Sequence, residues 1–294
     1  MVNSLEQTLT FFVTITLELV ILFLGISFLV GLMLEYIPPE KIRKAMGGDG
    51  ILGNLVGAGF GSITPFCSCS TIPLTMGFLN AGAPFGATMS FLIASPLLNP
   101  IILGMIVAFM GLQVALIYGV IAFMLAVFSG WLWHKLGLAK EVKKVRVTGG
   151  HEEEDDGSPK YKKAWRFAFT TFKSMFIYLL IGVSIGAAIY GLLPDDIIVS
   201  VAGPGNPLSV PVAAAIGIPL YIRAETIIPI GVALMDKGMG MGTVIALLIG
   251  GAGASIPEVS MLLGIFKRKL VIAFLLTILF VAIMTGYLTD FIAV

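Results

Sequence analysis

Ser62-Ile63-Thr64-Pro65-Phe66-Cys67-Ser68-Cys69-Ser70-Thr71-Ile72-Pro73 interrupts an otherwise very apolar chain. It gathers five hydroxyl side chains, two prolines and both cysteines of the protein. Pro65 and Pro73 each withhold a backbone N–H and disfavour helix at the preceding residue. A segment at membrane depth is therefore expected to leave the helix from Thr64 to Pro73. Non-helical backbone at that depth is tolerated only inside protein or beside a wet cavity. The stretch is thus a candidate binding site on local grounds alone.

The surrounding composition supports membrane depth. Of 294 residues, 57% are hydrophobic and 12% charged, about half the charged share of a soluble domain. Several apolar runs reach ~20 residues, enough to cross a ~30 Å hydrocarbon core as helices. Strand-like alternation is absent, which argues against an outer-membrane barrel. The 35 glycines suit close helix packing and broken helices. The net charge of +1 argues against a nucleic-acid partner. Met1 to Gln7 carry no positive region of a signal peptide, so the first apolar run reads as a retained span. Two cysteines one residue apart do not make a disulfide framework. His134 and His151 lie in no metal-ligand pattern and read as interface and linker residues. No metal and no cofactor is expected.

The first span is expected over about 11–37, stopped by Pro38-Pro39 and followed by the basic loop Lys41, Arg43, Lys44. The runs 51–63 and 74–79 are each too short to cross. With the polar break between them they predict a re-entrant hairpin. The run 85–110 is interrupted by Ser95-Pro96-Leu97-Leu98-Asn99-Pro100, which predicts a broken helix. A further run, 112–132, ends in the interfacial aromatics Trp131 and Trp133. Residues 134–173 form a charged segment with the acidic centre Glu152-Glu153-Glu154-Asp155-Asp156 and basic flanks. It reads as a solvated, partly disordered linker on the cytoplasmic side.

The chain then repeats itself. At a constant offset of 156 residues, Pro38 meets Pro194, Gly47 Gly203, Gly61 Gly217, Pro73 Pro229, Gly82 Gly238 and Gly86 Gly242. Leu52, Val56 and Ala58 meet identical residues as well. So many glycines and prolines in register mark an internal repeat. Its basic loops fall at non-equivalent places: Lys41, Arg43 and Lys44 align with the acidic Asp195 and Asp196, while Lys267-Arg268-Lys269 comes one span later. With basic loops in the cytoplasm, the halves run in opposite directions. The expected fold is an all-α polytopic membrane protein of two inverted-topology repeats. Each repeat has three transmembrane helices plus a re-entrant or broken-helix hairpin. The boundaries are 1–133, linker 134–173 and 174–294.

Under this offset Cys67 faces Arg223 and Cys69 faces Glu225, so the two hairpin tips converge near the midplane. Arg223 and Glu225 read either as a structural ion pair or as substrate- and proton-handling groups; the roles are compatible. Two residues apart on extended backbone, Cys67 and Cys69 would point the same way. Thiolates suit soft ligands, whereas a free cysteine is usually a small buried hydrophobe. The hydroxyl neighbours Thr64, Ser68 and Ser70 favour the functional reading. The second break offers Asn99 and, at the equivalent position, Ser255, with the intramembrane Glu258 one turn on. Broken ends can serve ions or polar substrates, or only satisfy their own backbone.

Thr64-Pro65-Phe66-Cys67-Ser68-Cys69-Ser70, Pro73 and Ser95-Pro96-Leu97-Leu98-Asn99-Pro100 resemble the ArsP-type predicted permease family, across nearly the whole chain. The resemblance implies a permease, with efflux of trivalent organoarsenicals among the family's named activities and with thiol contacts at Cys67 and Cys69. A monomethylated arsenic(III) has two exchangeable positions for two thiolates. Arsenite would want a third, and the chain has no third cysteine. Arg223 suits an anion better.

The reading is a secondary permease of the plasma membrane for a small thiophilic solute. Protons are the candidate coupling ion through Glu225 and Glu258, and self-association into a homo-oligomer stays open. No Walker A motif is present, so ATP drive would need another subunit. One alternative is a permease for a small sulfur-containing anion or thiol compound. Another class is a membrane thiol-redox protein, against which stand the absence of CxxC spacing and of a haem-type His pair. A passive channel is a third.

Overall fold

Apolar periodicity is satisfied by helices throughout the described part of the chain. The computed structural model describes residues 2–36, 39–48, 50–64, 68–143, 159–192, 208–220, 231, 234–235 and 238–293. The helices are α1 (Val2–Tyr36), α2 (Pro39–Ala45), α3 (Ile51–Ile63), α4 (Ser68–Asn80), α5 (Phe85–Leu97), α6 (Pro100–Met110), α7 (Leu112–Lys135), α8 (Lys160–Leu192), α9 (Ser209–Leu220), α10 (Met241–Gly253), α11 (Ile256–Ile265) and α12 (Arg268–Ala293). A short 3-10 turn, Leu138–Glu141, follows α7. Residues 160–173, read as linker from composition, are helical and open α8.

Three described stretches are long and apolar enough to span a bilayer: Phe85–Met110, Leu112–Lys135 and Arg268–Ile292. The bent pair α10–α11 makes a fourth. α1 and α8, at 35 and 33 residues, exceed the ~20 that a crossing needs. One face of α7 presents Leu116, Val120, Met124 and Phe128 outward; α12 presents Ile272, Leu276, Phe280 and Met284. These stripes recur at the 156-residue offset. Water would penalise them at roughly 25 cal/mol per Å² of apolar surface, whereas hydrocarbon accepts them. The opposite face of α7 buries Ala115, Tyr118, Ala122, Ala126 and Trp133.

Helix boundaries follow the same offset. α5, α6 and α7 start at Phe85, Pro100 and Leu112; α10, α11 and α12 start at Met241, Ile256 and Arg268. The packing recurs too: α3 on α5 and α5 on α7, then α9 on α10 and α10 on α12. A side chain at Gly86 would strike the Gly130 carbonyl, and one at Gly242 the Gly286 carbonyl. Only glycine lets these helix axes approach so closely.

α1 and α8 pack along their length in opposite directions, with Phe23 on Phe172, Phe28 on Trp165 and Tyr36 beneath Lys160. α7 meets α12 through Trp133, near the end of one, against Phe274, near the start of the other. The segment after α7 is tied to the α11–α12 junction. Val142 makes an isolated antiparallel bridge with Phe266. Lys143 N donates to the Ile265 carbonyl at 2.9 Å, and Lys143 Nζ to that of Leu263 at 2.6 Å. The end of α1, both ends of the charged segment and Lys267–Lys269 therefore share one face of the bundle.

Candidate functional site

α3 and α4 are each 13 residues, about 20 Å. Asn54, in the first turn of α3, lies beside Gly86 in the first turn of α5, and only residues 81–84 join α4 to α5. The pair thus enters and leaves on one face. Its tip is level with the inner end of α5, because Thr71 Oγ1 donates to Ser95 Oγ at 3.3 Å. A ring cluster of Phe60, Phe78 and Phe91 ties α3, α4 and α5 together, with centroids 5.2–6.0 Å apart.

The tip is narrower than the prolines suggested. Helix resumes at Ser68, so Ser68, Cys69 and Ser70 lie in the first turn of α4, and Pro73 sits inside that helix. The expectation of non-helical backbone up to Pro73 is corrected accordingly, and Cys69 is not on an extended strand. Pro73 still acts on the site, since it has no N–H to offer the Cys69 carbonyl four residues back. Thr64 ends α3 with extended backbone and is buried; its hydroxyl donates to the Gly61 carbonyl at 2.9 Å. Cys67, Arg223 and Glu225 lie outside the described residues, as do the side chains of Ser68, Cys69 and Ser70.

The two breaks at Asn99 and Ser255 meet near the bundle centre, where Leu97 Cδ2 lies against Gly253, its own counterpart at the 156 offset. Their chemistry differs. At the first break, Asn99 Oδ1 accepts the Ile101 N–H at 2.9 Å. The fully buried Tyr118 donates its phenol to the Leu97 carbonyl at 2.6 Å. The Ile101 N–H and the Leu97 carbonyl at the break are thereby satisfied, and 85–110 passes as a single 26-residue span. At the second break Ser255 forms no side-chain cap, and its buried Oγ has no hydrogen-bond partner among the described residues. Tyr118 is replaced by Phe274, which has no hydroxyl, and Pro257 has no N–H for the Gly253 carbonyl. This span bends by 42°. Glu258, fully buried, sits in the first turn of α11. α11 packs on α8 and on α4, the helix that carries Cys69.

Tyr118 escaped the sequence reading. Its signal is a phenol within a span, at a position where the other half has phenylalanine. Among the described residues, no group of three or more His, Cys, Asp or Glu stands ready to hold a metal ion.

Lipid-facing stripes around broken helices with polar interiors define a multi-pass membrane protein of the transporter class. The chain belongs to the ArsP-type family described as a predicted permease, whose model matches residues 4–291. It is 26% identical to the UPF0718 protein YcgR of Bacillus subtilis, over 97% of each chain. It is 24% identical to a UPF0718 protein of Methanocaldococcus jannaschii, over 81% of each. A Streptococcus mutans protein whose name proposes a two-component membrane permease complex subunit is 23% identical, over 92% of this chain and 91% of that one. No solved structure matches the chain.

Proposed function

We propose that the protein is a secondary-active permease of the plasma membrane, built as two inverted-topology repeats around a midplane site. The observation that carries this reading is the contrast between the two breaks. One is closed by Asn99 and Tyr118; the other leaves the buried Ser255 hydroxyl without a partner among the described residues, at a bent helix end that also carries the buried Glu258 and abuts α4. A buried polar group left open, and an ionisable side chain beside it, are costly inside a membrane and mark substrate or ion paths. The antiparallel course of α1 and α8, which are equivalent at the 156 offset, supports inversion. Clustering of basic residues on the face that holds the charged segment supports a cytoplasmic linker.

The substrate in this reading is a small thiophilic solute of the trivalent organoarsenical type, held by Cys67 and Cys69 at the hairpin tip. Each As–OH bond is exchanged for an As–S bond with release of water. Thr64, Ser68, Ser70, Asn99, Ser255, Arg223 and Glu225 complete the site, and Glu225 and Glu258 are the proton-coupling candidates. A second reading, a small sulfur-containing anion, draws support from the Ser255 hydroxyl at the N-terminus of α11, the end of a helix that favours negative charge. The Streptococcus mutans relative, whose name proposes a subunit of a two-component complex, makes a partner subunit a further part of the proposal.

Binding to the purified protein separates the readings. Monomethylarsenic(III) and thiosulfate are titrated against wild type, Cys67→Ser and Cys69→Ser. The thiol reading expects saturable arsenical binding that either substitution weakens at least tenfold, since serine is nearly isosteric but a harder ligand, un-ionised at neutral pH. A double Cys→Ser variant that binds like wild type refutes it. Thiosulfate binding lost in Ser255→Ala would move the assignment to the anion.

A further inference from the structure

The two breaks differ in the placement of one proline. At the 156-residue offset Pro100 aligns with Ile256, and Pro257 aligns with Ile101. That shift by one residue decides which oxygens are occupied. In the first half the Ile101 N–H goes to Asn99 Oδ1 at 2.9 Å. The Leu98 N–H goes to the Ala94 carbonyl at 2.8 Å, and the Tyr118 hydroxyl to that of Leu97. In the second half Pro257 has no N–H for the Ser255 side chain or for the Gly253 carbonyl. Ala254, at φ −154° and ψ 59°, closes no backbone bond to Gly250, and Phe274 brings no hydroxyl.

The Gly250 and Gly253 carbonyls thus lack the donors that serve their counterparts, at a helix C-terminus whose partial negative charge favours a cation. Ser255 is an independent pointer to a ligand. It is 4% exposed, and its Oγ has no hydrogen-bond partner among the described residues. It lies in the short link between α10 and α11, where the span bends by 42°. A buried hydroxyl left open is costly and calls for a partner. Neutral carbonyl and hydroxyl oxygens suit a hard cation of low charge. A transition metal would call for imidazole, thiolate or carboxylate ligands, and no group of three or more His, Cys, Asp or Glu stands together among the described residues. Carbonyl oxygens do not titrate near neutral pH, so this set is not a proton site.

We propose that the break between α10 and α11 binds an alkali-metal cation, sodium or potassium, through the Gly250 and Gly253 carbonyls and Ser255 Oγ. Half-helix C-termini in membranes are suited to such ions. The Ser255 hydrogen stays available to donate, so a cation on the α10 side does not exclude an anionic solute at the start of α11. In the permease reading the cation is a coupling ion beside the protons proposed for Glu225 and Glu258, and that step alone rests on that reading. Neither cysteine enters the argument, so the cation site and the thiol site fail separately.

Thermal unfolding of the full chain in a neutral detergent tests the proposal, in sodium, potassium or choline chloride at matched ionic strength and pH. Wild type is expected to gain roughly 3–6 °C over choline when the metal ion stands at about ten times its dissociation constant, and the gain should saturate. A gain with one metal ion and not the other names the ion. Ser255→Ala removes a ligand and should need roughly tenfold more salt for the same gain. Phe274→Tyr offers a phenol to the Gly253 carbonyl, so its midpoint should start higher in choline and its gain should shrink. Equilibrium binding of radioactive sodium and potassium checks the same variants without unfolding them. Equal wild-type midpoints in all three salts, with no saturable binding, would overturn the proposal. So would a full wild-type response in both variants.

Discussion

Replacing Tyr118 with phenylalanine should turn the closed first break into a copy of the open second one. The phenol is fully buried and gives its hydrogen to the Leu97 carbonyl at 2.6 Å. No backbone donor is available in its place, because Pro100 has none and Ile101 gives its N–H to Asn99. Phenylalanine keeps the ring and leaves a void the size of one oxygen, so the packing loss is small. A net hydrogen bond is worth about 1 kcal/mol, and a buried acceptor left open costs about 1–3 kcal/mol. Hydrogen bonds between membrane helices average nearer ~0.6 kcal/mol, because the alternative state also finds partners. The expected loss is therefore about 1–2 kcal/mol. At about 2–4 °C per kcal/mol for a chain approaching this size, the midpoint should fall by roughly 2–8 °C. The assay is thermal unfolding in a neutral detergent, with hydrogen exchange followed at residues 97–103. Exchange should rise there and stay unchanged across α12. An unaltered midpoint together with unaltered exchange would refute the claim that Tyr118 holds this break straight.

Phe274→Tyr is the reciprocal change: a phenol offered to the Gly253 carbonyl should raise the midpoint and slow transport if bending at Ser255 is part of the cycle, and unchanged rates in reconstituted vesicles would dissociate the two. Glu258→Gln keeps shape but cannot titrate, so it should retain substrate binding and lose the dependence of uptake on an imposed pH gradient; a preserved dependence would remove Glu258 from coupling. Gly286→Leu drives a side chain into the Gly242 carbonyl and Val210; overpacking of this kind typically costs about 1–3 kcal/mol, and a midpoint equal to wild type would show that the crossing relaxes freely. Cysteine labelling at Ser158 should succeed only from the cytoplasmic side, and labelling from outside would invert the proposed orientation.

Much of the architecture was legible in the sequence because bilayer physics is one-dimensional. Apolar length, proline position and loop charge act along the chain, and they located α3, the interruption after Leu97 and the end of the span at α7. Helix starts recur at the same 156-residue offset as the glycines and prolines: Phe85 and Met241, Pro100 and Ile256, Leu112 and Arg268. Proline was over-read at Pro73, because a helix can carry one interior proline at the cost of the bond to the carbonyl four residues back, and α4 carries it in its second turn.

What the sequence by itself determined is the membrane class, the family, the repeat and the polar residues at its breaks. Only the tertiary structure decided which of those polar residues are already satisfied. Asn99 and Ser255 are equivalent in sequence, yet one caps its helix and the other is buried without a described partner. The difference rests on local geometry and on Tyr118 facing one break where Phe274 faces the other. Hydrogen-bond satisfaction depends on which atoms meet across helices, and that pairing is a property of packing in three dimensions rather than of any pattern along the chain.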